Sequence, residues 1–155
     1  MTHMDKTFDA STDTAGAGRE ARERLVVVIE DGAHLSDAFR SICECLDLPV
    51  QRMPSREDLG PVLRDRRPMA VVAEIDAPGQ DGFHVLMTIA AHDRDLPVLL
   101  IMGQEPALLG AVDAVEELWE LTSVVKWPRL LGVGAVVDFL FCAGRKGGCM
   151  RLLSV

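Results

Sequence analysis

Apolar and polar positions along this chain change period several times. "LVVVI" (25 to 29) is an unbroken apolar run rich in β-branched residues, the pattern of a strand buried on both faces. In the next segment Leu35, Ala38, Phe39, Ile42, Cys43 and Leu46 recur at helical spacing, and Pro49 ends the pattern. "VQRM" (50 to 53) predicts a short second strand. Ser55 as cap, with Glu57 and Asp58 as an acidic first turn, predicts a helix carrying Leu59, Val62 and Leu63, kept short by Pro61. "AVVAEI" (70 to 75) predicts a third strand, and "GFHVLMTIAAH" (82 to 92) a helix with Phe83, Leu86, Met87 and Ala90 on one face. A strand at 97 to 102, a helix at 107 to 121, a strand at 123 to 126 and a helix from about Leu130 to Phe141 complete the series.

Five strand and helix pairs with buried-type strands predict an α/β fold, a parallel sheet covered on both sides by right-handed crossovers. Five units in this length suit the flavodoxin-like order 2-1-3-4-5, in which ligand sites lie beyond the carboxyl ends of the strands. That edge then collects Glu30 and Asp31 after the first strand, Glu74 near the end of the third, Met102 at the end of the fourth and Lys126 at the end of the fifth. Taken singly, these residues are ordinary loop acids, a turn and an edge lysine; taken jointly, they make a plausible hard-cation site.

The totals narrow the setting. The 155 residues, 48% of them hydrophobic, suffice for one core and not two. The expected organisation is a tail over 1–23, one domain over 24–142 and a second tail over 143–155. A net charge of −8 argues against nucleic acid or an anionic membrane as partner, and Arg64, Arg66 and Arg67 are too few to form a phosphate track. The N-terminal stretch has no apolar h-region, and "GVGAVVDFLFCAG" is too short to span a bilayer, so a cytoplasmic location is expected. Cys43, Cys45, Cys142 and Cys149 lack the spacing of a zinc site or a disulfide framework. "GVGAVVD" falls inside a helix and is no dinucleotide fingerprint, and "IEDG" lacks the Asp-x-Asp of an aspartate-based phosphatase, so an enzyme is not expected.

The pieces "VVVIEDGAHL", "VVAEIDAPGQDGFHVL", "LPVLLIMG" and "VVKWP" together resemble the receiver domain of two-component response regulators, over about residues 24 to 141. The resemblance implies an acidic pocket at Glu30 and Asp31, the phosphoacceptor position at Glu74, the hydroxyl switch position at Met102 and the lysine at Lys126. It also implies Mg²⁺ held by Glu30, Asp31 and Glu74, although no cofactor is then strictly required. Three parts depart from the family pattern. A glutamate at the acceptor position displaces the carboxylate by about 1.5 Å, and a misplacement near 1 Å can cost on the order of 10²-fold in rate. Met102 offers no hydroxyl. Trp127 stands between Lys126 and Pro128, so either the lysine is displaced or the tryptophan occupies its place.

The reading that follows is an atypical, stand-alone receiver acting as a protein-interaction module in bacterial signalling, with Glu74 near Lys126 as a fixed negative charge. Its expected partners are a histidine kinase, a downstream regulator or a second copy. The expected partner face is that of the fourth helix, fifth strand and fifth helix, with Trp119 and Trp127 as candidate anchors, open between surface and core, while Phe139, the third candidate, reads as core. The alternative is a phosphorelay in which Asp76 or Glu74 accepts phosphate with Mg²⁺.

Overall fold

The computed structural model describes residues 21–32, 34–55, 57–75, 80–103, 105–128 and 132–148. Asp76 and Cys149 lie outside these residues, as do Ala77, Pro78 and Gly79 of the "APGQDG" turn and the side chain of Asp81. In chain order the elements are β1 (Glu23–Ile29), α1 (His34–Cys45), β2 (Val50–Met53), α2 (Gly60–Asp65), β3 (Pro68–Ile75), α3 (Gln80–His92), β4 (Val98–Met102), α4 (Pro106–Leu118), β5 (Val124–Trp127) and α5 (Val133–Gly147). All pairings are parallel and the strand order is β2-β1-β3-β4-β5, as the alternating pattern predicts.

Two apolar layers flank the sheet. On one side Leu35, Phe39 and Cys43 of α1 and Val136, Phe139, Leu140 and Ala143 of α5 pack on Val26, Val28, Val72, Leu99 and Ile101. On the other, Leu63 of α2, Val85, Leu86 and Ile89 of α3, and Leu108 and Val112 of α4 pack on Val27, Val71, Val98 and Leu100. Successive strand residues therefore serve opposite layers, which is why β1, β3 and β4 read as continuous apolar runs.

Local chemistry moves several expected boundaries. Ser55 does not cap α2: that helix begins at Gly60, after Glu57 and Asp58, with Asp58 accepting from the Gly60 N–H at 3.0 Å. Pro61 falls in its first turn, where the missing N–H costs nothing. Met87 does not join the buried stripe of α3, which runs through Val85, Leu86 and Ile89; Met87 is 47% exposed. Ala38 likewise faces solvent, and the small, buried Ser36 replaces it on the inner side of α1.

The last helix passes both its expected end at Phe141 and the expected domain border at residue 142. Ala143, Gly144 and Gly147 are buried in this added turn, and Gly148, with φ of 72°, closes it in the left-handed conformation. At the same edge the Arg22 N–H donates to the Gly147 carbonyl at 2.9 Å, and the Arg22 guanidinium donates to both oxygens of Asp93 at 3.0 and 3.2 Å. Residues 22 and 23 thus belong with the domain and not with the expected tail.

Cys43 and Cys45 point to different sides of α1, the first buried and the second exposed, as their spacing predicts; burial pushes the Cys43 thiol up to about 11. Among the described residues no helix is long and apolar enough to cross a membrane.

Phe39 is 1% exposed within the layer that joins α1 to the sheet. Phe39→Ala is expected to destabilise the domain by about 3–5 kcal/mol, read as a lower urea midpoint at unchanged slope.

Candidate functional site

Strand register decides which side chains meet at the carboxyl edge. Glu74 pairs with Ile101 of β4, which pairs with Trp127 of β5; one residue further into the sheet, Ala73 pairs with Leu100 and Leu100 with Lys126. Ile29 pairs with Ala73, so Glu30, the next residue, falls on the row of Glu74. The rim row is Glu30, Glu74, Ile101 and Trp127, all on the side of α1 and α5. Because side chains alternate, Lys126 faces the opposite layer.

Glu30 is buried, and its position follows from how α1 starts. One carboxylate oxygen accepts the Leu35 N–H at 3.0 Å and the other the Ser36 N–H at 2.6 Å, so Glu30 satisfies two of the orphan donors of the helix. Burial by itself raises the pKa of this carboxyl. The hydrogen bonds from Ser36 and Leu35, with the nearby His34, outweigh burial and hold it below the ordinary glutamate value.

Asp31, by contrast, is exposed and turned toward the β2 side. It accepts the Ser55 N–H at 3.0 Å and the Ser55 hydroxyl at 2.9 Å. Arg52 holds the backbone of the same loop, donating to the carbonyls of Gly32 and, at 2.7 Å, of Asp31.

His34, the first residue of α1, supplies what the sequence reading missed. Its Nδ1 lies 3.6 Å from Glu30 Oε1 and its Nε2 lies 3.7 Å from Glu74 Oε1. One ligand atom from each of Glu30, His34 and Glu74 falls within 4.8 Å of the other two. Of the expected trio, Glu30 and Glu74 come together here beside His34, while Asp31 turns to Ser55. The spacing of Glu30 and His34, four residues across a helix start, was the available signal.

Lys126 is not the neighbour of Glu74. Its ammonium donates to Asp113 Oδ1 at 2.8 Å and to Glu116, both on α4. Partial burial would lower its pKa, but these two carboxylates raise it above the ordinary lysine value and keep it charged. Trp127 takes the rim position instead, half-buried against the α1 and α5 layer. Met102 is buried in the other layer at the end of β4. Met102, Gly103, Leu109, Lys126, Trp127 and Pro128 line a cleft of about 260 Å³ beside the row.

The two tryptophans do not form one face. Trp119 follows the carboxyl end of α4 and packs on the α3 and α4 layer beside Met87 and Arg94, whereas Trp127 sits on the opposite side of the sheet at its carboxyl edge. Phe139 is core, as expected.

No family model matches the chain. In sequence it is similar to the C4-dicarboxylate transport transcriptional regulatory protein DctD of Pseudomonas aeruginosa, 35% identical over 78 residues that make up 50% of this chain and 17% of that protein. Among solved structures it is similar to the N-terminal signal receiver domain of a two-component response regulator from Bacteroides fragilis, with a TM-score of 0.59, 18% identity, and 77% and 95% of the two chains covered. The signal receiver domain of a modulated diguanylate cyclase from Desulfovibrio desulfuricans G20 gives a TM-score of 0.62 at 20% identity over 80% and 95%. A response regulator receiver protein from Pseudomonas putida gives 0.60 at 18% identity over 77% and 96%. The fold is that of a response-regulator receiver domain. On this fold the rim row carries Glu74 with an imidazole beside it and Trp127 in register with it.

The cap formed by Glu30 has a pH signature. A carboxyl whose folded pKa lies below its unfolded value near 4.5 contributes stability that is complete above that unfolded value and is lost as pH falls through the folded one. Glu30→Gln is expected to cost about 1 kcal/mol near neutral pH. It should also flatten the loss of stability on acidification below about pH 4.5, as read by denaturant titrations across pH.

Proposed function

We propose that this chain is a receiver-type protein-interaction module of two-component signalling that works without ordinary aspartyl phosphorylation and is not itself an enzyme. The observation that carries this reading is the rim row of Glu30, Glu74, Ile101 and Trp127, with Lys126 one residue out of phase and tied to Asp113 and Glu116.

Phosphoryl transfer to a carboxylate needs cations placed where charge develops on the transferring oxygens. Here the lysine lies on the wrong side of the sheet to supply one. The glutamate at the acceptor position carries its oxygens one methylene further than an aspartate would, and Met102 gives no hydroxyl to hold a phosphoryl oxygen. The first acid of the pocket is already committed to the start of α1. These four features act in the same direction, against a phosphorylation switch and for recognition by shape and charge.

The partner in this reading is another signalling protein, a histidine kinase or a downstream regulator, with a second copy of the chain as the homotypic alternative. A net charge of −8 suits a partner with a basic surface. Trp127, half-buried beside the rim cleft, is the better placed of the two tryptophans to anchor one, since large aromatics in partly formed pockets dominate binding energies. No cofactor is required for this role.

Incubation of the full chain with acetyl phosphate and Mg²⁺, followed by intact-mass measurement, is expected to leave the mass unchanged. A gain of a single phosphoryl group, abolished by Asp76→Asn or Glu74→Gln, would establish the phosphorelay reading in its place.

A further inference from the structure

We infer that the rim holds a cation site of imidazole type, formed by Glu30, His34 and Glu74, which takes a borderline divalent metal such as Zn²⁺ in preference to Mg²⁺. The inference rests on the proposed function only in taking the rim to be idle in phosphotransfer.

The donor set makes the case. Mg²⁺ demands near-octahedral oxygen ligation at 2.0–2.1 Å and keeps several waters, whereas imidazole with carboxylates suits Zn²⁺ and its neighbours. Asp31, the oxygen donor expected beside Glu30, is bound to Ser55, and an imidazole stands in the cluster instead. One donor atom from each of Glu30, His34 and Glu74 lies within 4.8 Å of the other two; the shortest separations, 3.6 and 3.7 Å, run to opposite ring nitrogens, of which one would bind the ion. The His34 side chain is 74% exposed and has room to turn that nitrogen toward both carboxylates.

Rigidity points the same way. Glu30 is held in place by the Leu35 and Ser36 N–H groups, the kind of outer support that fixes a ligand before metal arrives.

The test is calorimetric titration of the chelator-stripped full chain with ZnCl₂ and with MgCl₂, together with absorption spectra of the Co²⁺ form. The expected result is a single Zn²⁺ per chain, undisturbed by excess Mg²⁺, with no thiolate charge-transfer band in the Co²⁺ spectrum. His34→Ala, an exposed position, should keep the native circular dichroism and lose at least the roughly 10–100-fold in affinity that removing even a supporting partner costs. Three results would overturn the inference: no Zn²⁺ binding, Zn²⁺ binding of equal strength by His34→Ala, or a thiolate band that moves the ion to Cys45 or Cys142. Displacement by equimolar Mg²⁺ would overturn the preference. Failure here leaves the acetyl phosphate result untouched, and a phosphorylated chain could still bind Zn²⁺, so the two readings fail separately.

Discussion

The register of a sheet buried on both faces governs everything at the rim. Each strand residue belongs to one layer or the other, and a single step along a strand exchanges them. Val71, Ala73 and Ile75 serve the layer of α2, α3 and α4, while Val72 packs toward α1 and α5. Burial of these apolar residues holds β3 against slipping, since a shift by one would turn Glu74 into the core and expose Ile75. The same constraint in β5 sends Lys126 toward α4 and Trp127 toward α1 and α5, so Trp127 and not Lys126 joins the row of Glu74.

The consequence is a division of charge. On the α4 side one ammonium meets two carboxylates, Asp113 and Glu116, and is satisfied there. On the α1 side two carboxylates, Glu30 and Glu74, meet at a histidine that a helix start brings between them. Glu30 serves two purposes in that arrangement: it closes the N-terminus of α1 and it presents negative charge to the edge. Removing it therefore disturbs the helix as well as the rim, which is why the exposed His34 is the cleaner place to probe the site.

Much of this was legible in advance. Continuous apolar runs and helical spacing reported all ten elements, the parallel sheet and its strand order, because strands buried on two faces and helices buried on one have different periods. Glu30, Glu74, Met102 and Lys126 were correctly assigned to the carboxyl edge by strand position alone. The misses share a cause, competition among local partners that spacing cannot rank. Ser55 was free to cap a helix or to bind Asp31, and bound Asp31. Gly144 and Gly147 could have marked a tail, but both are buried within α5.

The sequence by itself determined the fold and the place of Glu30 and Glu74 at the carboxyl edge, since both follow from hydrophobic period and from which residues stand at strand ends. The tertiary structure alone decided the pairings: His34 with Glu30 and Glu74, Asp31 with Ser55, Lys126 with Asp113 and Glu116. These partners come from different elements, and their distances depend on strand register and helix entry angle, quantities that a one-dimensional pattern does not contain.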